Sequence, residues 1–181
     1  MYKRIDSSRY PLILKHMDPY RGILEDRATK QARYELQQPQ YAYLKFFESP
    51  KIIYQVFQVK PAFAFDERLC IGDNAVYSIP SRDLYLLGIL NSESCWSEIC
   101  RHCSPIQNGY QLMRSYFLKV EVPLASTEER QKISELAQRC VGAGGSGPQV
   151  VEWEAEINER VAWLYGLKAP PSRPESAEDD A

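Results

Sequence analysis

The chain has 181 residues, a formal net charge of −2, 44% hydrophobic side chains and 25% charged ones. That is enough chain for one domain with a covered core, at a composition ordinary for a soluble globular protein. No run approaches the roughly 18 uninterrupted apolar residues of a membrane span, and the N-terminal MYKRIDSSRYPL lacks a secretory apolar core, so a cytoplasmic address is expected. The small net charge hides an asymmetry. Residues 1–119 carry 16 basic and 12 acidic side chains, residues 120–169 carry 5 and 8, and the tail 170–181 carries 1 and 4. A basic first portion joined to an acidic second one points to a localised surface for a polyanion. Five cysteines, an odd count without a secretory signal, argue against a disulfide framework.

The N-terminal stretch opens with Ser7-Ser8 and Pro11, a reasonable helix start, and Leu12, Ile13 and Met17 form a short apolar stripe before Asp18-Pro19 interrupts it. Residues 20–33 are polar and mixed in charge, as on a solvated helix face. From Tyr34 the period changes and Pro39 breaks it, predicting an irregular strand, a loop and a short helix near 41–47. The aromatics Tyr41, Tyr43, Phe46 and Phe47 in this stretch are expected in the core, with base stacking as the alternative.

The run PKIIYQVF (50–57) is the densest strand signal, its β-branched and aromatic residues suiting a half-buried pleated surface. Alternation sets Ile52, Tyr54 and Val56 on one face and Ile53, Gln55 and Phe57 on the other. The short apolar runs 62–65 and 75–79 predict further strands, joined by a loop over 66–74 that carries Arg68 and a Gly72-Asp73-Asn74 turn, with Cys70 and Ile71 as its anchors. Asp83 is placed to cap a helix over 84–92, and 94–103 reads either as a second helix or as the far half of one kinked helix. Cys95, Cys100, His102 and Cys103 cluster there. They are expected to be small buried apolar side chains. A zinc site is the alternative, but a strong zinc signal would have a second ligand pair 12–20 residues away.

Ser104-Pro105 is expected to end that helix, residues 107–111 to form a polar loop, and 116–122 to form the last strand. An amphipathic helix over 126–141 is capped by Ser126 or Thr127, with Glu128 and Glu129 at the positive end of its dipole. The glycine-rich 142–148 is a flexible break; without a following Lys it is no phosphate-binding loop. A final helix is expected over 153–164, and the acidic, Pro- and Ser-rich tail 170–181 is expected to be disordered. The fold class expected is α+β: a curved mixed or antiparallel sheet flanked by helices, with a C-terminal helical pair.

In order along the chain, Arg33-Tyr34-Glu35-Leu36, PKIIYQ, NAVYSIP (74–80), the helix ending Leu90-Asn91-Ser92, Val120-Glu121-Val122-Pro123-Leu124 with Glu128-Glu129-Arg130-Gln131, and Glu156-Ile157-Asn158 with Leu164-Tyr165-Gly166-Leu167 resemble the TaqI-like specificity domain. This is the target-recognition module C-terminal to many adenine-specific DNA methyltransferases and type IIG restriction–modification enzymes. The resemblance covers 10–168 and implies a DNA target-recognition domain over 1–169. It further implies double-stranded DNA and a methyltransferase catalytic domain as partners, the latter upstream in the same polypeptide or a separate subunit. It singles out Arg33 and Tyr34 beside the first strand, and Asn108, Tyr110, Gln111 and Arg114 in the loop region that lies near DNA in that family.

Side-chain chemistry adds its own candidates. Gln55 and Gln58 suit bidentate pairing with adenine, Lys60 suits guanine or phosphate, and Lys51 and Arg68 supply further positive charge.

The sequence lacks the Asn/Asp-Pro-Pro-Tyr/Phe tetrapeptide of adenine methyltransferases and the Pro-Asp with downstream Glu/Asp-x-Lys of many restriction nucleases. Its histidines, His16 and His102, form no evident triad. No catalysis by this chain and no cofactor of its own are expected; S-adenosylmethionine would bind the separate catalytic domain. The alternative is a non-catalytic protein–protein interaction module docking through an aromatic sheet and long helices.

Overall fold

The computed structural model describes residues 5–28, 32–35, 45–68 and 72–171. The chain divides into two compact units, Met1–Lys45 and Phe46–Ala181. In the first, Pro11 opens helix α1 (Pro11–Met17), and a 3-10 turn (Asp18–Tyr20) leads to α2 (Arg21–Glu25). None of these elements buries a residue. The unit is instead tied by polar contacts. The Arg27 guanidinium donates to the carbonyls of Leu24 (2.7 Å), Glu35 (2.9 Å) and Ala32 (3.1 Å). Residues 33–35 form a turn, so the strand expected from Tyr34 does not begin there; the stretch 36–44, with Tyr41 and Tyr43, lies outside the described residues.

The second unit is α+β, with two small antiparallel sheets. Strand β1 (Lys51–Gln55) lies between β3 (Phe63–Asp66) and β4 (Val76–Ile79). The run expected as one strand breaks at Val56, whose N–H donates to Ala75 O (2.9 Å) and whose carbonyl accepts from Leu112 N (2.6 Å). That residue hands the chain from the first sheet to the second, in which β2 (Phe57–Gln58) pairs with β6 (Gly109–Gln111) and β6 with β5 (Ser104–Ile106). The expected alternation holds through the break: Ile52, Tyr54 and Val56 are buried, whereas Gln55 and Phe57 are exposed.

Helices α3 (Leu84–Asn91) and α4 (Glu93–His102) cover the sheets, capped by Asp83 (accepting from Tyr85 N at 3.0 Å) and Ser92 (from Cys95 N at 3.2 Å). Asn91 closes the outer edge of β3: its amide oxygen accepts from Phe63 N (3.0 Å) and its amide nitrogen donates to Phe63 O (2.9 Å). Helix α6 (Thr127–Gly142) is capped by the Ser126 hydroxyl, and α7 (Pro148–Leu164) begins five residues earlier than the sequence indicates because Pro148 fits the first helical position. Gly88 lets α3 and α6 close: a Cβ there would sit 2.8 Å from Ile133 Cγ2. Arg160 of α7 joins the C-terminal pair, donating to both oxygens of the buried Glu129 (3.0 and 3.2 Å) and to Glu156.

The strand expected over 116–122 is absent. Arg114–Phe117 is a short helix, α5, and 118–126 has no regular structure. Phe117 is drawn inward onto Tyr54 (ring centroids 5.1 Å) and Phe63 (5.8 Å), which the helical turn allows and an extended strand would oppose. The following segment is held by tyrosine hydroxyls, Tyr165 donating to Glu121 O and Tyr85 to Pro123 O, both at 2.7 Å. The polar loop expected at 107–111 is a hairpin, with Gln107 and Asn108 as its two-residue turn and Gln107 held at φ 50°. The tail from 172 onward, where disorder is expected, lies outside the described residues.

Candidate nucleic-acid interface

The small sheet β2–β6–β5 has two unlike faces, because side chains alternate along each strand and directly paired residues point the same way. One face carries Gln58, paired with Tyr110, and packs inward: Gln58 is buried, and the Tyr110 ring meets Trp96 of α4 edge-on at 5.9 Å. A hydrogen bond between Tyr110 and Cys100 raises the phenol's pKa. The other face carries Phe57, paired with Gln111, and Ile106, paired with Gly109. Val59 joins it. A Cβ on Gly109 would meet Phe57 Cζ at 2.9 Å and Val59 Cγ1 at 3.0 Å, and would collide with the Gln58 carbonyl. Glycine is therefore required there: it is itself buried, and it lets Phe57 and Val59 pack close over it, on a face whose three apolar side chains are 39–52% exposed.

The sequence around this sheet is unusual in charge. Residues 49–65 and 99–120 contain no Asp or Glu, although at the chain's average density these 39 residues would hold about five. They contain Lys51, Lys60, Arg101, Arg114 and Lys119. Of these, Lys60, Arg114 and Lys119 are exposed, with Lys119 Nζ 5.6 Å from the Tyr116 ring centre, while Arg101 pairs with Glu98 at 2.8 Å.

The sequence-predicted residues sort accordingly. Gln111 lies on the open face, Asn108 is exposed at the hairpin turn, Gln55 is exposed at the end of β1, Lys60 follows β2, and Arg68 is exposed just beyond β3. Arg114 opens α5 at the lip of an apolar cleft of about 570 Å³ formed by β4, α5 and 118–122. Two residues are corrected. Lys51 is buried and its ammonium pairs with the buried Asp66 at 2.5 Å while donating to Phe47 O at 3.0 Å, so it faces no solvent. Gln58 is buried and its amide closes the 59–62 turn, donating to Gln55 O and Ala62 O and accepting from Ala62 N. In the N-terminal unit, Arg33 forms an ion pair with Asp18, and Tyr34 lines a small apolar hollow with Ile5, Tyr10, Ile13 and Leu14.

The open apolar face of Phe57, Val59 and Ile106 escapes sequence reasoning, since isolated apolar residues look like core. The signal that could have found it is the pair of acid-free stretches. The described thiols offer no activated nucleophile. Burial pushes Cys95 up to about 11 and raises Cys100, Cys103 and Cys140, keeping them protonated at neutral pH. Cys70 lies outside the described residues. Among the described residues no three His, Cys, Asp or Glu side chains gather as a metal site, and no helix is long and apolar enough to cross a membrane.

The fold is similar to part of a solved structure, that of the Type IIL restriction–modification enzyme MmeI in complex with DNA. The TM-score is 0.57 at 15% identity, over 90% of this chain and 24% of that one. The chain thus spans about a quarter of the length of the protein it matches, and the likeness is one of fold. No protein-family model matches the sequence, and no curated protein does.

Proposed function

We propose that this chain is a sequence-specific DNA-recognition domain, the specificity portion of an adenine-specific DNA methyltransferase or restriction–modification enzyme. The observation that carries the proposal is the likeness of fold, over nearly the whole chain, to part of a restriction–modification enzyme solved with DNA. The acid-free small sheet supports it independently, because a surface for phosphates must avoid carboxylates. Lys60, Arg114 and Lys119 would hold phosphates, while the amides of Asn108 and Gln111 would address base edges. The chemistry on the target base, and S-adenosylmethionine with it, would belong to a partner catalytic domain that extrudes the adenine.

Fluorescence anisotropy with duplex DNA tests this. Binding that weakens steeply with salt is expected, and no binding even at about 20 mM salt would overturn the proposal. The protein-interaction alternative is favoured by one observation, the apolar cleft beside the edge strand β4. It would gain if the protein ignored DNA.

A further inference from the structure

The open face of the small sheet has a chemistry more specific than phosphate binding. Phe57, Val59 and Ile106 present exposed hydrocarbon, the first two packed close over the buried Gly109. Gln111 stands on the same face, opposite Phe57, and the amides of Gln107 and Asn108 cap the hairpin that ends it. The three apolar residues lie in or beside stretches that lack any carboxylate, so nothing on them repels a polyanion. Exposed aliphatic groups beside uncharged amides match one base pair in the major groove: A·T. There adenine offers N7 and N6 to an amide while its thymine offers the C5-methyl to hydrocarbon, and a two-stranded β-ribbon is narrow enough to enter that groove. A G·C pair has no methyl for these side chains to cover.

We infer that the β5–β6 hairpin and the adjoining Phe57 and Val59 form a major-groove surface that selects an A·T pair through its thymine methyl, with Ile106 and Val59 as the methyl contacts and Asn108 or Gln111 on the adenine. This rests on the DNA-recognition proposal and adds which element enters the groove and which pair it requires.

The experiment enriches duplexes from a randomised-sequence library with the full chain, then remakes the enriched duplexes with deoxyuridine for thymidine, which removes only the methyl. Affinity is expected to fall about threefold to tenfold at one or two positions, as for loss of roughly one buried methyl each. That loss should shrink in Ile106→Ser and Val59→Ser, whose folding is checked by melting. The DNA-side comparison needs no altered protein, so a poorly folding variant does not spoil it. Enriched duplexes that bind equally with uracil, or a uracil penalty that neither variant changes, would each overturn this inference and leave sequence-specific recognition standing, whereas binding that enriches no sequence would overturn the sequence specificity as well. Absence of binding to any duplex would overturn both.

Discussion

The Lys51–Asp66 pair offers the most direct check on whether surface or core claims Lys51. Directly opposed across β1 and β3, the two side chains are 1% and 4% exposed, with Nζ and Oδ2 2.5 Å apart. Removing one partner strands a buried charge, so Asp66→Ala and Lys51→Met should each cost about 3–5 kcal/mol. That is a large share of the roughly 5–15 kcal/mol that holds a domain together. The double variant strands no charge, leaving the Phe47 carbonyl and the Arg68 N–H without these partners, and should cost far less than the two singles combined, because replacing both charges removes the larger penalty with the interaction. Urea unfolding followed by Trp96, Trp153 and Trp163 fluorescence measures all four corners of the cycle. Additivity within about 0.5 kcal/mol would refute the pairing. DNA binding supplies a second readout. If Lys51 is internal, the folded double variant keeps the parent's salt dependence, whereas a lost phosphate contact would lower that slope by about 1.

Three further outcomes test the packing. Gly88→Ala forces a methyl against Ile133 and should destabilise by about 1–3 kcal/mol, whereas Gly142→Ala, with nothing within 4 Å, should be neutral or slightly stabilising; thermal melting of the two side by side decides. Asn91→Ala unties the β3 edge from α3 and should cost about 1–3 kcal/mol, with amide exchange at Phe63 accelerating; unchanged protection there would refute the edge assignment. Alkaline stability should also fall. Burial holds Cys95 near 11 in the folded chain against 9.0 when free, so unfolding releases a proton once pH passes 9. Stability is therefore unaffected below pH 9 and declines toward pH 11, by up to about 3 kcal/mol. Burial of Tyr54, raised to about 12 from 10.0, extends the decline; Cys95→Ala should remove its first part.

The helices that announce their own start were legible, whereas α5 reads as strand and α7 begins ahead of its expected first turn. Asp83, Ser92 and Ser126 cap α3, α4 and α6 from positions that can be read locally. The Leu90-Asn91-Ser92 motif was visible too, though not its use, since Asn91 bonds a strand 28 residues away. What local pattern could not supply was partnership across the sheet. Lys51 reads as a surface cation until Asp66 is placed opposite, and Gln58 as a base reader until the turn it closes is known. The false strand at 116–122 has a related cause: Phe117, Val120 and Val122 look like a strand's apolar set, but Phe117 is drawn by Tyr54 and Phe63 and Pro123 can donate no ladder hydrogen bond.

The net charge of −2 would predict weak or salt-insensitive attraction to DNA if charge were spread evenly, and the folded chain predicts otherwise. Acids are denser from residue 120 onward, 12 in 62 residues against 12 in the first 119, and Glu129 and Glu156 there are already engaged by Arg160, while the exposed Lys60, Arg114 and Lys119 fall in stretches with no acid at all. If each of the three meets a phosphate, the slope of log affinity against log salt should approach about −3, a loss of roughly fortyfold between about 50 and 200 mM. Anisotropy titrations across that range measure the slope directly, and Lys60→Gln should make it shallower by about 1 without changing which sequences are preferred. A slope near zero, or one that Lys60→Gln leaves untouched, would mean that the absence of acids around the small sheet does not serve a polyanion.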